Sequence, residues 1–376
     1  MVAARRAGYS VAAIDAFLDK QTVASADVAL LVEYGCDGFN ADAMLAAVNT
    51  LDVGQYLGFV YGSGFEAQPE LLEKIAESIP LIGNAAATVT SVKTPANFFA
   101  ALQQHGITYP AVFNVLPVHD CLENIATVYL KKFARGCGGT HITVVSAKNL
   151  ALSDDWYYQR KITGRSISLL FVAHGRGIEV VGFNEQWVDP FESMPFRYGG
   201  AVSNIALSDE IKVKLVDAAE KLTLAFGLVG LNSLDAMVRD GVAYMLEINP
   251  RLSATVDLYE DENLLERHVR ACIDDLSFEH VPVSKALNPR TESILSKAHA
   301  IVYASADVLI ASDFDWPVWV VDSPLSNMQV RAGEPICTVI AVADSADEAK
   351  QLVHIRVKML KIEIQNILKG KTCKIR

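Results

Sequence analysis

Between Ile211 and Phe226 the apolar positions Ile211, Leu215, Ala218, Leu222 and Phe226 fall on one stripe at helical spacing. Ser208 stands where an N-cap belongs, Asp209 and Glu210 lie in the first turn, and Gly227 follows as a stop. The pattern predicts a helix across 208–227. The same period runs through QPELLEKIAESI (68–79) and through NFFAALQQHG, which follows Lys93-Thr94-Pro95. LGFVYGSGFE (57–66) reads as a strand entering a Gly loop, and PLIGN (80–84) as a short strand. The opening AARRAGYSVAAIDAF reads as the end of a helix, a stop at Gly8, and a strand from Ser10 to Ile14 that ends in Asp15. Alternating strands and helices of this kind predict a parallel sheet with helices on its faces. Such a unit ordinarily opens with a strand. Here it opens at the helix, so its first strand is expected to be missing.

From about residue 126 the pattern lengthens into strands and hairpins. TVYLKKF (127–133) is a strand that runs into the loop RGCGGTH, and residues 156–187 read as consecutive antiparallel strands with Gly turns. NSLDAMV and VAYMLEIN flank Asp240-Gly241, a hairpin signal. Further on, HAIVYAS, WPVWVV (316–321) and ICTVIAVA read as strands, Gly333-Glu334 as a turn, and SADEAKQLVHIRVKMLKIEIQNIL as a closing helix. Three units are expected: an α/β domain over 1–92, a middle domain over 93–280, and a β-rich module with its closing helix over 281–376.

Composition narrows the class. Of 376 residues 51% are hydrophobic and the mean hydropathy is +0.24. No run reaches the roughly 18–20 apolar residues of a membrane helix, so no membrane partner is expected. A net charge of −11 argues against nonspecific nucleic-acid binding. Six cysteines without a C-x-x-C pair argue against a disulfide framework or a zinc site and fit a reducing cytoplasm. The final stretch from Lys350 is basic, with Glu363 its one acid, and reads as a solvated helix face and a basic tail.

Candidate chemistry centres on YMLEINPRLSAT (244–255). Glu247, Asn249 and Arg251 alternate, so their side chains share a strand face. A carboxylate, an amide oxygen and a guanidinium in a row suit a magnesium–phosphate cluster. Asp235 lies across the hairpin and would complete a carboxylate pair. The ordinary alternative is a solvent-facing acidic strand pair with Arg251 as a local salt bridge. Lys132-x-x-Arg135-Gly136-Cys137-Gly138-Gly139 delivers a lysine and then a loop whose backbone could approach phosphate oxygens. It is neither a P-loop nor a Rossmann fingerprint, and a tight hairpin without ligand remains equally open. The strand Trp156–Ile162 could offer its edge to an adenine or be simply amphipathic.

In order, Lys93, K-x-x-x-G-x-G-G at 132–139, Q-x-x-I-x-G at 159–164 and D-x(11)-E-x-N-x-R at 235–251 resemble the ATP-grasp superfamily of carboxylate–amine ligases. The resemblance implies an α/β (α+β) ATP-grasp fold with a pre-grasp domain before it and a small β-rich module after it. It implies ATP and one or two Mg²⁺, or Mn²⁺ in their place. Lys93, Lys132 and Gln159 would lie at the nucleotide, and Gly136, Gly138 and Gly139 would form a mobile lid. The backbone of Lys161 and Ile162 would hold adenine. Asp235, Glu247 and Asn249 would bind metal, and Arg251 with Lys132 would stabilise the transferring phosphoryl group. Where the family strand has Gln-Glu, this chain has Gln159-Arg160, so an acid near the adenine is missing or supplied elsewhere.

ARRAGY, VYGSGFE, FRYGGAV and LEINPR further resemble a methylotroph subgroup linked to tetrahydromethanopterin and methanofuran one-carbon metabolism. That implies small-molecule carboxylate and amine substrates and an amide made through an acyl phosphate, with glutamate ligation in a methanofuran-type cofactor as the specific case. It is compatible with a homodimer. Arg197, Tyr198, Thr255 and Asp257 are the candidates for substrate contact. Arg197 suits a carboxylate and Asp257 an amine, the ordinary alternatives being a solvated loop Arg and a helix N-cap Asp. The rivals are a grasp-fold kinase or carboxylase, and a nucleotide-binding regulatory subunit without turnover.

Overall fold

The computed structural model describes residues 1–35, 38–116, 128–145, 155–174, 177–259, 263–273, 295–311 and 314–368. The boundary expected at 280–281 and the basic tail from Lys369 lie outside them, as do Cys36, Cys121 and Cys373.

The N-terminal unit comprises α1 (Val2–Arg6), β1 (Ala12–Asp15), α2 (Lys20–Ser25), β2 (Val28–Leu31), β3 (Tyr34–Gly35), β4 (Gly38–Phe39), α3 (Ala41–Thr50), α4 (Pro69–Ala76), α5 (Ala86–Lys93) and α6 (Pro95–Gln104). β1 and β2 pair in parallel, Ala12 opposite Val28. Asp19 caps α2 by accepting from the backbone of Gln21 and Thr22. Met44, Leu71, Leu72, Ile75 and Val89 close the core of this unit. The strands expected at 57–66 and 80–84 shrink to one parallel bridge between Phe59 and Leu81. The reason is visible beside them. The free edge of β1 has no strand partner among the described residues. It faces a cavity of about 940 Å³ whose opposite wall is Leu57 to Gly62, closed by Ile336 to Thr338. With a slot on one side, the segment 57–62 has no neighbour to ladder with.

The middle of the chain builds two sheets. β5 (Val112–Phe113), β6 (Tyr129–Phe133), β7 (Ile142–Val144) and β8 (Trp156–Arg160) form the smaller, in the order β5-β8-β6-β7. The larger contains β9 (Arg165–His174), β10 (Ile178–Val188), β11 (Tyr198–Val202), β12 (Val229–Arg239) and β13 (Val242–Asn249). The chain reaches it around α7 (Asp209–Phe226), and α8 (Leu264–Ile273) packs on β12 and β9. Ser208 Oγ accepts from the backbone of Ile211, Gly227 ends α7 at φ 64°, and Ile211, Leu215, Ala218 and Leu222 are buried as the stripe requires.

β14 (Ser296–Tyr303), β16 (Val320–Val321) and β18 (Pro335–Ala343) continue the large sheet, which runs β13-β12-β9-β10-β11-β14-β18-β16. β15 (Val308–Leu309) and β17 (Gln329–Val330) pair separately. Of WPVWVV only Val320 and Val321 are strand, because the Val320 N–H turns back to donate to the carbonyl of Pro317. α9 (Ala346–Leu368) closes the chain. Its basic residues do more than face solvent: Lys350 meets Glu185 at 2.6 Å, and Arg356 donates to the Ile340 carbonyl.

Candidate active site

The two sheets and the N-terminal unit bring six charged side chains together. Lys93 ends α5, where a cation suits the helix C-terminus. Lys132 rises from β6, Asp235 from β12, and Glu247 from β13, with Arg251 just beyond that strand and Glu66 in the Gly loop of the N-terminal unit.

The hairpin register decides the carboxylate geometry. Asp240 and Gly241 both have positive φ, 50° and 74°, as a two-residue turn demands. From that turn Arg239 pairs with Val242 and Ala236 with Met245. A regular ladder would then set Asp235 against Leu246. Instead a bulge places Asp235 opposite Glu247. One extra residue thus puts two carboxylates on one face, a use of bulges found beside active sites.

Lys93 Nζ lies 3.1 Å from Glu247 Oε2 and 3.3 Å from Asn249 Oδ1. Asn249 Nδ2 donates to Asp235 Oδ2 at 3.0 Å. Lys132 is buried, donates to Gln159 Oε1 at 3.3 Å and lies over the Tyr157 ring. Burial works against its charge, but Tyr157, Glu247 and Asp235 more than offset that, so its pKa is raised. Burial likewise disfavours the Glu247 carboxylate, yet Lys93, Lys132 and His141 hold its pKa down. Asp235 goes the other way: burial and then the charge of Glu247 push it up. Two facing carboxylates, one forced toward its proton by the other, form a set that a divalent cation would relieve. The oxygens of Asp235, Glu247 and Asn249 are hard donors that fit Mg²⁺. Lys93 Nζ already sits as a cation between two of them. Among the described residues no group of three or more His, Cys, Asp or Glu side chains is placed to hold a metal, so the amide oxygen is needed.

Arg251 is buried and held. Its Nε donates to Glu66 Oε1 at 2.5 Å, Nη1 to the Leu252 carbonyl and Nη2 to Asn249 Oδ1 at 3.5 Å. Glu66, 2% exposed, also accepts from the Gly64 backbone. Sequence reasoning missed Glu66, because nothing local marks a carboxylate whose partner lies so far along the chain.

The Gly loop is docked. Gly138 and Gly139 have φ of 62° and 72°. The Tyr198 N–H donates to the Gly138 carbonyl at 2.9 Å, and the bare Cα of Gly139 packs against the Phe196 carbonyl. Tyr34 of β3 reaches Cys137 Sγ at 3.9 Å.

At the other sequence candidates the geometry is less open. Arg197 donates from Nε and Nη2 to Asp189 and from Nη1 to the Gly333 carbonyl, and it stacks on Tyr303. That clamps the corner before β11 to the C-terminal strands and leaves little of the guanidinium for a substrate. Tyr198 Oη bonds His299 Nε2 at 2.7 Å, Thr255 shares a hydrogen bond with Ser253, and Asp257 stands exposed in the turn Ala254–Leu258. The Lys161 N–H, expected at adenine, already donates to the Val128 carbonyl. Ile162 follows β8, and Gln159 Nε2 has no partner among the described residues.

The profile of a family described as an ATP-grasp domain matches residues 96–255. Biotin carboxylase from Campylobacter jejuni, solved as a β,γ-ATP complex, superposes with a TM-score of 0.70 at 15% identity, covering 93% of this chain and 85% of that one. The superposition and the profile match together show an ATP-grasp fold. The ATP-grasp architecture also relates the chain to an L-amino acid ligase from Bacillus licheniformis, with a TM-score of 0.61 at 13% identity, covering 89% and 86% of the two chains. In sequence, an uncharacterized protein of Methanocaldococcus jannaschii is 23% identical over 273 residues. That match covers 69% of this chain and 63% of the relative, less than two thirds of its length. In ATP-grasp terms the charged cluster lies between the small sheet β5–β8 and the large sheet. The 940 Å³ cavity is separate, since none of Lys93, Lys132, Asp235 or Glu247 lines it.

Proposed function

We propose that this chain is an ATP-dependent carboxylate–amine ligase. The observation that carries the reading is the cluster in which Lys93 and Lys132 face Asp235, Glu247, Asn249 and Arg251 between two sheets. Two buried ammonium groups and a guanidinium suit a polyphosphate, and they border hard oxygen donors. Asp235, Glu247 and Asn249 would hold Mg²⁺, which would supply charge neutralisation at the phosphoryl oxygens.

Lys132 and Lys93 orient the triphosphate. A substrate carboxylate oxygen attacks the γ-phosphorus and the bond to the β-phosphate oxygen breaks, giving an acyl phosphate and ADP. Arg251 stabilises the charge that spreads over the transferring phosphoryl oxygens. The amine then adds to the acyl carbon and phosphate leaves, with the amine proton lost to solvent or base. Gly136, Gly138 and Gly139 exclude water while the acyl phosphate exists. The motifs shared with the methylotroph subgroup make glutamate with tyrosine or tyramine the first pair to try.

The test is release of ADP and phosphate from MgATP with pools of acids and amines, against Glu247→Gln. Substrate-dependent release that the variant lacks supports the ligase. ATP binding without turnover in any pool favours a regulatory nucleotide site, and carboxylated or phosphorylated products favour the carboxylase or kinase.

A further inference from the structure

The two oxygens of Asp235 are held by different strands. Asn249 Nδ2 of β13 donates to Oδ2 at 3.0 Å, and Gln186 Nε2 donates to Oδ1 at 3.2 Å. Gln186 stands on β10, two strands away from Asp235. In the ladder it pairs with Ser166 of β9, and Ser166 pairs with Met237 of β12. Gln186 and Asp235 therefore share one face of the large sheet, and the amide reaches diagonally over β9 to the carboxylate. Ser168, directly opposite Asp235 on β9, brings its hydroxyl to the same group. β10 is pinned from the other face at this point: Glu185, the residue before Gln186, meets Arg165 at 2.7 Å and Lys350 at 2.6 Å.

Asp235 needs such a hold, because the facing charge of Glu247 repels its ionised form. A neutral amide N–H steadies a carboxylate without cancelling its charge. An ionised carboxylate has about four lone-pair positions on its two oxygens, so one amide on each oxygen leaves room on both for a cation. Asn249 is a poor fixed reference for this purpose. Its own oxygen belongs to the donor set for Mg²⁺ and lies 3.3 Å from Lys93 Nζ, so its amide must answer to what binds there. Gln186 has no such duty. Hydrogen bonds from outside the ligand set orient ligating carboxylates, and their loss typically costs about 10–100-fold in metal affinity.

We propose that Gln186 is a positioning residue for the metal: its Nε2–H holds Asp235 Oδ1 so that the carboxylate stays turned toward Glu247 and Asn249, where a divalent cation would take all three. Gln186 acts through Asp235 and not on the nucleotide. This rests on the ATP and Mg²⁺ reading above. It adds a residue that no local pattern marks, because its target lies 49 positions further along the chain.

Isothermal titration with the non-hydrolysable ATP analogue AMP-PNP, in EDTA and again in excess Mg²⁺, tests it on the whole chain for the wild type, Gln186→Met and Gln186→Ala. Met keeps the length of the side chain and removes the donor. The ratio of the two affinities isolates the metal, because a change that merely loosens the fold weakens both titrations alike. The expected result in both variants is metal-free affinity within about twofold of wild type and a tightening by Mg²⁺ that is about tenfold smaller. Equal tightening in the wild type and both variants overturns the proposal. So does an equal loss with and without Mg²⁺, which marks a merely structural glutamine. A wild-type chain that binds no AMP-PNP, or binds it no tighter with Mg²⁺, fails the ATP and Mg²⁺ reading and the proposal with it. That failure shows in the wild type itself, which separates it from the other two.

Discussion

Glu66 and Arg251 offer the sharpest quantitative handle on how the N-terminal unit is tied to the ATP-grasp domain. Glu66 is 2% exposed, Arg251 9%, and their atoms meet at 2.5 Å. Burial alone would raise the Glu66 pKa, but Arg251 and then Lys93 bring it below the usual value. Removing one partner of such a pair leaves an uncompensated buried charge and costs about 3–5 kcal/mol. At about 2.1 cal/mol/K of unfolding entropy per residue, a chain of this length loses roughly 4–6 °C in Tm from Glu66→Ala. Differential scanning calorimetry reads this directly. In an Arg251→Met background the same substitution should lower Tm far less, because the orphaned guanidinium is gone. The pH dependence has a fixed sign. Because the folded pKa of Glu66 is depressed, its contribution is complete above the unfolded carboxylate value and fades as pH falls through the folded one. The wild-type advantage over Glu66→Ala should therefore shrink on acidification. A Tm within about 1 °C of wild type for Glu66→Ala at pH 7 would refute the reasoning, since a buried unpaired arginine cannot be that cheap.

Other outcomes follow from the same geometry. Asp235→Asn should raise the Tm of the chain without nucleotide or metal, because the folded pKa of Asp235 is raised and its ionisation opposes folding as pH climbs through that value. The same variant should lose most of the thermal stabilisation that MgATP gives the wild type, and a lower Tm without ligand would contradict the assignment. Gly139→Ala should lower Tm, weaken ATP binding and slow turnover, because a Cβ there would lie 2.0 Å from the Phe196 carbonyl in the docked lid and a φ of 72° strains an alanine. ATP affinity equal to wild type would mean that the lid does not need this contact.

Much of the framework was legible because local rules acted alone. Ser208, the apolar stripe and Gly227 specify α7 without help from the rest of the chain. Asp240-Gly241 specifies its hairpin in the same way. The alternation of Glu247 and Asn249 puts both at the end of β13, while Arg251 lies just beyond that strand. What stayed hidden depends on distant partners. Glu66 is an acid in a Gly loop until Arg251 arrives, and His141 is a lone histidine until Gly136 lies beneath it. Arg197 looked available because Asp189, Gly333 and Tyr303 meet it only in the folded chain. WPVWVV has strand composition, but the turn that Val320 closes onto Pro317 overrides it.

The bulge at Leu246 has a consequence for how distant relatives should be compared. Eleven residues separate Asp235 from Glu247, and that count includes one that the ladder does not pair. A homologue with one residue fewer on this strand would keep both acids face to face on a regular ladder. One with the same count but no bulge would turn Glu247 to the opposite face. An alignment gap placed at the Asp240-Gly241 turn would hide that distinction, whereas a gap placed at Leu246 would preserve it. Spacing between the acids, read with the turn type, is therefore a better marker of an intact site than either acid alone.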